Sequence, residues 1–241
     1  MRNGFKFFAI LSLLSFMMVG KIPKESSETQ IGLAACKGAY AWACWGFAPP
    51  PHTVDFGEVS ARIDHKFADG LHIGVTGNFI NKRSEYIYTL ECWSASFWYI
   101  NPYIARDSEL YGLGVDLGVG LVAGPGGFFP NGYLRLGSAN AFHFSVHFYD
   151  NWPALYTGIF RFGFGYRLSK SIWLWGGLGI LPYETLAPTI FLKKGLGKNF
   201  IFNIGGRYTF RHTCGFDGEP CIHGPDYCFV MGIIYRLKHR K

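Results

Sequence analysis

The sequence predicts an all-β chain: an antiparallel, up-and-down transmembrane β-barrel of twelve strands, with ten as the alternative. Three observations carry this. Downstream of residue 36, apolar residues alternate with polar or small ones at a period of two in nearly every segment, which is the mark of strands with unlike faces. Glycine numbers 32, aromatics make up 18% and charged residues only 16% of the 241 residues, where an ordinary globular chain is about a quarter charged. The joins between alternating segments are short and long by turns, as in a barrel with tight turns at one end and longer loops at the other. No internal apolar run reaches the roughly 18 residues of a helical span, so a membrane would have to be crossed by strands.

The N-terminus reads as an export signal. Arg2 and Lys6 precede an apolar run from Phe7 to Val19, too short to span a bilayer and suited to the core of a secretory signal. Residues 1–20 are therefore assigned to a signal peptide, 21–37 to a polar N-terminal segment, 38–237 to the barrel and 238–241 to a basic tail. Within the polar segment, LAAC at Leu33–Cys36 resembles a bacterial lipoprotein box, although it stands well apart from the apolar run. Cys36 is thus a candidate for lipidation.

The strands follow in order. GAYAWACWGFA (38–48) is needed as a first, outward-running strand so that the count is even and both ends lie inside. In the next, Val59, Ala61 and Ile63 alternate with Glu58, Ser60, Arg62 and Asp64; then Leu71, Ile73, Val75 and Phe79 alternate with His72, Gly74, Thr76 and Asn78. LYGLGVDLGVGLV (110–122) has Leu113, Val115, Leu117, Val119 and Leu121 on one face and Gly112, Gly114, Asp116, Gly118 and Gly120 on the other. Phe142, Phe144, Val146 and Phe148 oppose His143, Ser145 and His147; Phe160, Phe162, Phe164, Tyr166 and Leu168 oppose Arg161, Gly163, Gly165 and Arg167. Phe200, Phe202, Ile204, Tyr208 and Phe210 oppose Asn203, Gly205, Arg207, Thr209 and Arg211. The short joins expected are 67–70, 106–109, 138–140, 169–171 and 195–199. The long ones are 82–91, 123–131, 151–155, 181–186 and 212–226. A three-residue turn at 169–171 sets Trp175 beside Gly165, covering it, and Trp173 beside Arg167 in a cation–π contact.

In the last strand Tyr227, Phe229, Met231, Ile233, Tyr235 and Leu237 share a face. Gly232, Tyr235 and Leu237 resemble the C-terminal signal, glycine followed by an aromatic and a hydrophobic residue, of bacterial outer-membrane β-barrels, from which the chain departs by its four further residues. The resemblance implies an outer-membrane location, with membrane lipids and the outer-membrane assembly machinery as partners. The formal net charge of +7 comes with no basic stripe interleaved with stacking aromatics, so nucleic acid is not an expected partner. The oligomeric state is not legible.

By parity the lumen receives Arg62, Arg135, Arg161, Arg167, Arg207, Arg211 and Arg236 against Glu58, Asp64 and Asp116. Charges inside a membrane pair with one another or line water. Two readings stay open: a narrow porin-like, anion-favouring channel, and a plugged barrel that serves as structure or as a display for its loops. Both are non-enzymatic, and no cofactor or metal is expected.

The enzymatic alternative rests on His143 and Ser145, which resemble the His-x-Ser of outer-membrane lipid A deacylases. There a histidine base activates the serine and a carboxylate orients the histidine. The asparagine expected after the serine is missing. Six cysteines in an oxidising compartment make disulfides the default. Cys214 and Cys221 share the last long join and are a first pair, with His212 and His223 beside them as the alternative of a zinc loop. Cys44 and Cys228, both inward by parity, are a second pair, across the seam between first and last strands.

Overall fold

The computed structural model describes residues 27–42, 52–85, 92–110, 113–125, 127–138, 141–148, 160–180, 186–213 and 222–239. They form twelve strands: β1 (Glu28–Trp42), β2 (His52–Lys66), β3 (Leu71–Glu85), β4 (Cys92–Leu110), β5 (Leu113–Gly124), β6 (Gly127–Gly137), β7 (Phe142–Phe148), β8 (Phe160–Ser169), β9 (Ile172–Ile180), β10 (Leu186–Leu196), β11 (Phe200–Thr213) and β12 (Ile222–Lys238). Each pairs antiparallel with its neighbours in sequence, and β1 pairs antiparallel with β12, so the sheet is a closed barrel. Closure leaves no unpaired edge. The count is twelve, and the ten-strand alternative falls.

Register fixes which way each residue faces. Cys36 lies between Glu58 and Val230, Asp116 between Asp107 and Arg135, and Gly165 between His143 and Trp175. Even numbers point inward on β1, β2, β3, β5 and β12, and odd numbers on β4 and β6 to β11. The outer face carries Leu33, Val59, Ile63, Trp98, Phe128, Phe164, Ile190 and Met231, all exposed, while Glu58, Asn78, Asn101, Ser145, Arg161 and Arg207 are buried within. A soluble protein has the reverse distribution. An apolar belt around a closed strand barrel is the solution a bilayer imposes, since every backbone group must pair inside the sheet. On β5 the outward Val115 and Val119, flanked by Leu136 and Ile104, are nearly covered. Lipid therefore meets that strand mainly at Leu113.

Inward glycines make room for rings on the next strand. Gly118 lies opposite Tyr133 and Gly74 opposite Tyr103; a methyl group at either would collide with the phenol ring. The bare face of β5 is thus filled by its neighbours' side chains.

The boundaries differ from expectation in three places. β1 is 28–42 and not 38–48: its inward Gly32, Ala34 and Cys36 and its outward Ile31, Leu33 and Ala35 continue the alternation back into the segment assigned as a polar leader. β4 runs straight through 106–109, because Asp107 and the residues beside it pair with β5 as far as Leu110 opposite Leu113. The expected long join 123–131 is mostly ladder between β5 and β6, with Gly124 opposite Gly127 and Phe128 opposite Ala123. Gly127, at φ +106°, takes a conformation closed to most side chains.

The joins at one end are 67–70, 111–112, 138–141, 170–171 and 197–199, and at the other 43–51, 86–91, 125–126, 149–159, 181–185 and 214–221. Short and long alternate with 125–126 as the exception. Phe67–Gly70 is a tight turn, closed by Gly70 N donating to Phe67 O at 3.1 Å, with Gly70 at φ +79°.

Candidate functional site in the barrel lumen

Among the described residues, two polar networks and two apolar clusters line the lumen, the smaller cluster being Ala34 and Ile234 with Ile201 against them. Nearer the short-turn end, Asp107 is a hub. Its Oδ2 accepts from Lys66 Nζ at 2.5 Å and from His72 Nε2 at 3.1 Å, and its Oδ1 from Arg135 Nη2 at 3.1 Å. Arg135 Nη2 also lies 2.9 Å from Asp116 Oδ2, and the Tyr133 hydroxyl donates to Asp116 Oδ1 at 3.0 Å. Arg62 reaches Asp64 at 3.4 Å and sits over the Tyr103 ring at 4.9 Å. These contacts join side chains from five consecutive strands, β2 to β6. Charges taken from water demand such partners.

The second network is deeper. Glu58 Oε1 accepts from Ser60 Oγ at 3.1 Å and from Asn78 Nδ2 at 2.6 Å, and Asn78 also donates to Ser60 at 2.8 Å. All three residues are buried. Beside it Phe56, Cys36, Cys228, Val230 and Phe191 form one apolar cluster, with Trp175 packed against it. The cluster runs from β2 to β9, five steps around a ring of twelve. Trp175 and Phe191 stand 5.7 Å apart between centroids, and Arg161 lies 5.6 Å from each ring. His147 stands edge-on to Trp175 and stacks on Tyr133, which continues the contact around the remaining wall.

Between the networks Arg62, Thr76, Tyr103, Gly120, Asn131 and Tyr133 bound a cavity of about 30 Å³. That is room for about one water molecule.

The expected inward charges Arg62, Arg135, Arg161, Arg167, Arg207, Arg236, Glu58, Asp64 and Asp116 all take inward positions by register. Arg211 holds the same parity on β11, and its side chain lies outside the described residues. The count omitted Lys66, His72 and Asp107. His72 and Lys66 carried the right parity and could have been included; Asp107 was hidden by its place in a charged stretch that reads as a turn. The Arg167–Trp173 contact forms as expected, at 5.3 Å. Gly165 makes room for His143 and not for Trp175, because the imidazole lies where its Cβ would be.

His143 and Ser145 face inward on β7, one alternation apart. The Ser145 hydroxyl accepts from Trp175 Nε1 at 3.0 Å and is buried. Among the described residues no carboxylate hydrogen-bonds His143, so base, nucleophile and orienting acid are not assembled there. Nor does any group of three metal-binding side chains occur among the described residues.

Cys44, Cys214 and Cys221 lie outside the described residues. His212 and His223 are directly opposite in the β11–β12 ladder, with side chains outside the described residues. Cys228 meets Cys36, not Cys44: the two sulfurs are 2.7 Å apart in the lumen. The displacement follows from β1 starting ten residues earlier than expected. A lipidated Cys36 would have to begin the mature chain, which removes the residues 28–35 that pair with 231–238, and its acyl chains would start inside the barrel.

No protein-family model matches the chain, and no curated protein matches it. Among solved structures it is similar to an outer membrane channel from Pseudomonas putida F1, at 9% identity and TM-score 0.45, covering 92% of this chain and 98% of that one. It is also similar to the translocator domain of the autotransporter NalP from Neisseria meningitidis, at 10% identity and TM-score 0.40 over 96% of this chain and 94% of that one. A third is the toluene transporter TbuX of Ralstonia pickettii, at 10% identity and TM-score 0.40 over 90% of each chain. At that distance the likeness is one of barrel architecture and says nothing of cargo.

Proposed function

We propose that this chain is an integral barrel of the bacterial outer membrane whose lumen is closed by its own side chains, and whose role is structural: it holds the longer joins 43–51, 86–91, 149–159, 181–185 and 214–221 at one rim. The observation that carries this is the burial of the inner wall. Glu58 is 2% exposed, Asn78 0%, Asn101 2%, Arg161 5% and Arg207 6%, residues on five strands spread around the ring. Inward side chains of a water-filled channel would be wetted, and these are not.

Membrane lipid is the partner of the outer belt. The assembly machinery would read the last strand before closure, at Tyr235 and Leu237 on its outward face and Gly232 on the other. A narrow anion passage is the second reading, supported by Arg161 and Arg207 near the middle of the lumen. It requires Trp175 and Phe191 to swing aside.

Planar-bilayer recording of the purified barrel decides between them. The closed reading expects no current above that of the bare membrane. A steady current selective for anions overturns it in favour of the passage, since fixed positive charge repels cations at close quarters.

A further inference from the structure

The seam of the barrel is the ladder between β1 and β12, the first and last strands of the sheet. Its inward face holds two cysteines. Gly38 is opposite Cys228 and Cys36 is opposite Val230, so the cysteines are diagonal neighbours on the same face. Gly38 has no side chain to stand between them. Their sulfurs are 2.7 Å apart, nearer than two unbonded sulfur atoms rest, and both residues are buried among Phe56, Val230 and Phe191. They are free thiols as described.

We infer that Cys36 and Cys228 form a disulfide across the seam, a covalent staple between the first and last strands. The oxidant is a disulfide donor of the exported compartment, either a small-molecule disulfide or the disulfide of an oxidoreductase. The thiolate of one cysteine attacks a donor sulfur, forming a mixed disulfide and releasing the donor's first thiolate. The thiolate of the second attacks the protein sulfur of that mixed disulfide, forming the Cys36–Cys228 bond and releasing the donor's second thiolate. Two protein thiols are oxidised, one donor disulfide is reduced to two thiols, and the two protons lost by the cysteines end on the donor.

The order of events follows from burial. Neither sulfur is open to a donor once the barrel is closed, so the first exchange occurs on the open chain and the second as the seam zips. The staple encloses residues 36–228. It forms only on chains whose first strand has found its last, and it commits Cys36 to a partner that excludes a lipid thioether on the same sulfur.

The test uses the full chain isolated from membranes, denatured with an alkylating reagent and no reductant, and cleaved beside Asp226 to separate Cys228 from Cys214 and Cys221. A Cys36–Cys228 cross-linked peptide that splits on reduction is the expected result. Alkylation of either residue as a free thiol, or a link from either to another cysteine, overturns it. As a second measurement, a chain with Cys44, Cys92, Cys214 and Cys221 all replaced by serine should migrate faster unreduced than reduced in denaturing electrophoresis, and adding Cys36→Ser should abolish the difference. Equal mobility with and without reductant in the four-serine chain overturns the staple as well.

Discussion

Lys66 Nζ lies 2.5 Å from Asp107 Oδ2 although their strands, β2 and β4, do not pair. β3 runs between them, and its His72 reaches the same carboxylate oxygen at 3.1 Å. The lumen side of β3 is thus strapped down by a tie that skips over it, in addition to its backbone ladders. One carboxylate serves Lys66, His72 and Arg135 at once.

Replacing Asp107 with Asn should therefore destabilise the barrel by about 3–5 kcal/mol, the cost of leaving buried partners of an ion pair uncompensated. Asp69→Asn, on the exposed turn where the carboxylate only accepts from Leu71 N at 3.2 Å, should cost about 1 kcal/mol or less. Urea midpoints of both variants in lipid vesicles give the comparison. Equal shifts would mean that the hub contributes nothing beyond a turn contact.

Val59 stands at the middle of β2 with 56% of its surface exposed on the outer face. Val59→Arg should cost about 2–4 kcal/mol, and the same change at Phe67, in the turn beside it, only about 0–1 kcal/mol, because lipid penalises charge by depth. A folding titration in vesicles that finds no difference between the two sites would reject lipid contact at Val59.

An epitope inserted in 214–221 should be reached by antibody on intact cells, whereas one at Lys170–Ser171 should be reached only after the outer membrane is breached. The expectation rests on the longer joins sharing a rim. Labelling of the 170–171 insertion on intact cells would invert the orientation.

The apolar cluster should act as the stopper of the lumen. Trp175→Gly combined with Phe191→Gly removes both rings that Arg161 covers, and the double variant should conduct in a planar bilayer where the unmodified barrel is silent. A variant that folds, as judged by heat-dependent electrophoretic mobility, and stays silent places the stopper elsewhere.

Much of this was legible in the sequence, and the exceptions share one cause. β7, β8 and β11 could be read at once because Phe, Tyr and Leu outside alternate with Arg, His, Ser and Gly inside, so the two faces differ in both size and polarity. The Arg167–Trp173 contact followed from the turn alone. β1 was misplaced because small Gly32, Ala34 and Cys36 face the lumen while Ile31, Leu33 and Ala35 face lipid, a contrast of size with little contrast of polarity. The charged stretch at 106–109 read as a turn by the logic of soluble proteins. In a barrel the interior is where charge belongs, so charge no longer marks the end of a strand, and Asp107 was lost from the site for that reason. AGPGGFFPN (123–131) reads as a loop because its glycines and prolines mask the β5–β6 ladder, whose outward Phe128 is among the most exposed rings of the belt.

Arg161 and Arg207 carry full charges into a wall that water barely wets. Mobile ions soften an electrostatic attraction only where they can come between the partners, and at physiological ionic strength they do so beyond about 8 Å in open solution. In the closed barrel proposed above, these two arginines stand apart from such solution. Added salt therefore acts on the outlying cations, Lys37 on the outer face and Lys170 and Lys198 in the turns, all exposed, and leaves the central charges with the fields that folding gave them. In a closed barrel, a property that varies with ionic strength reports on the surface and rims.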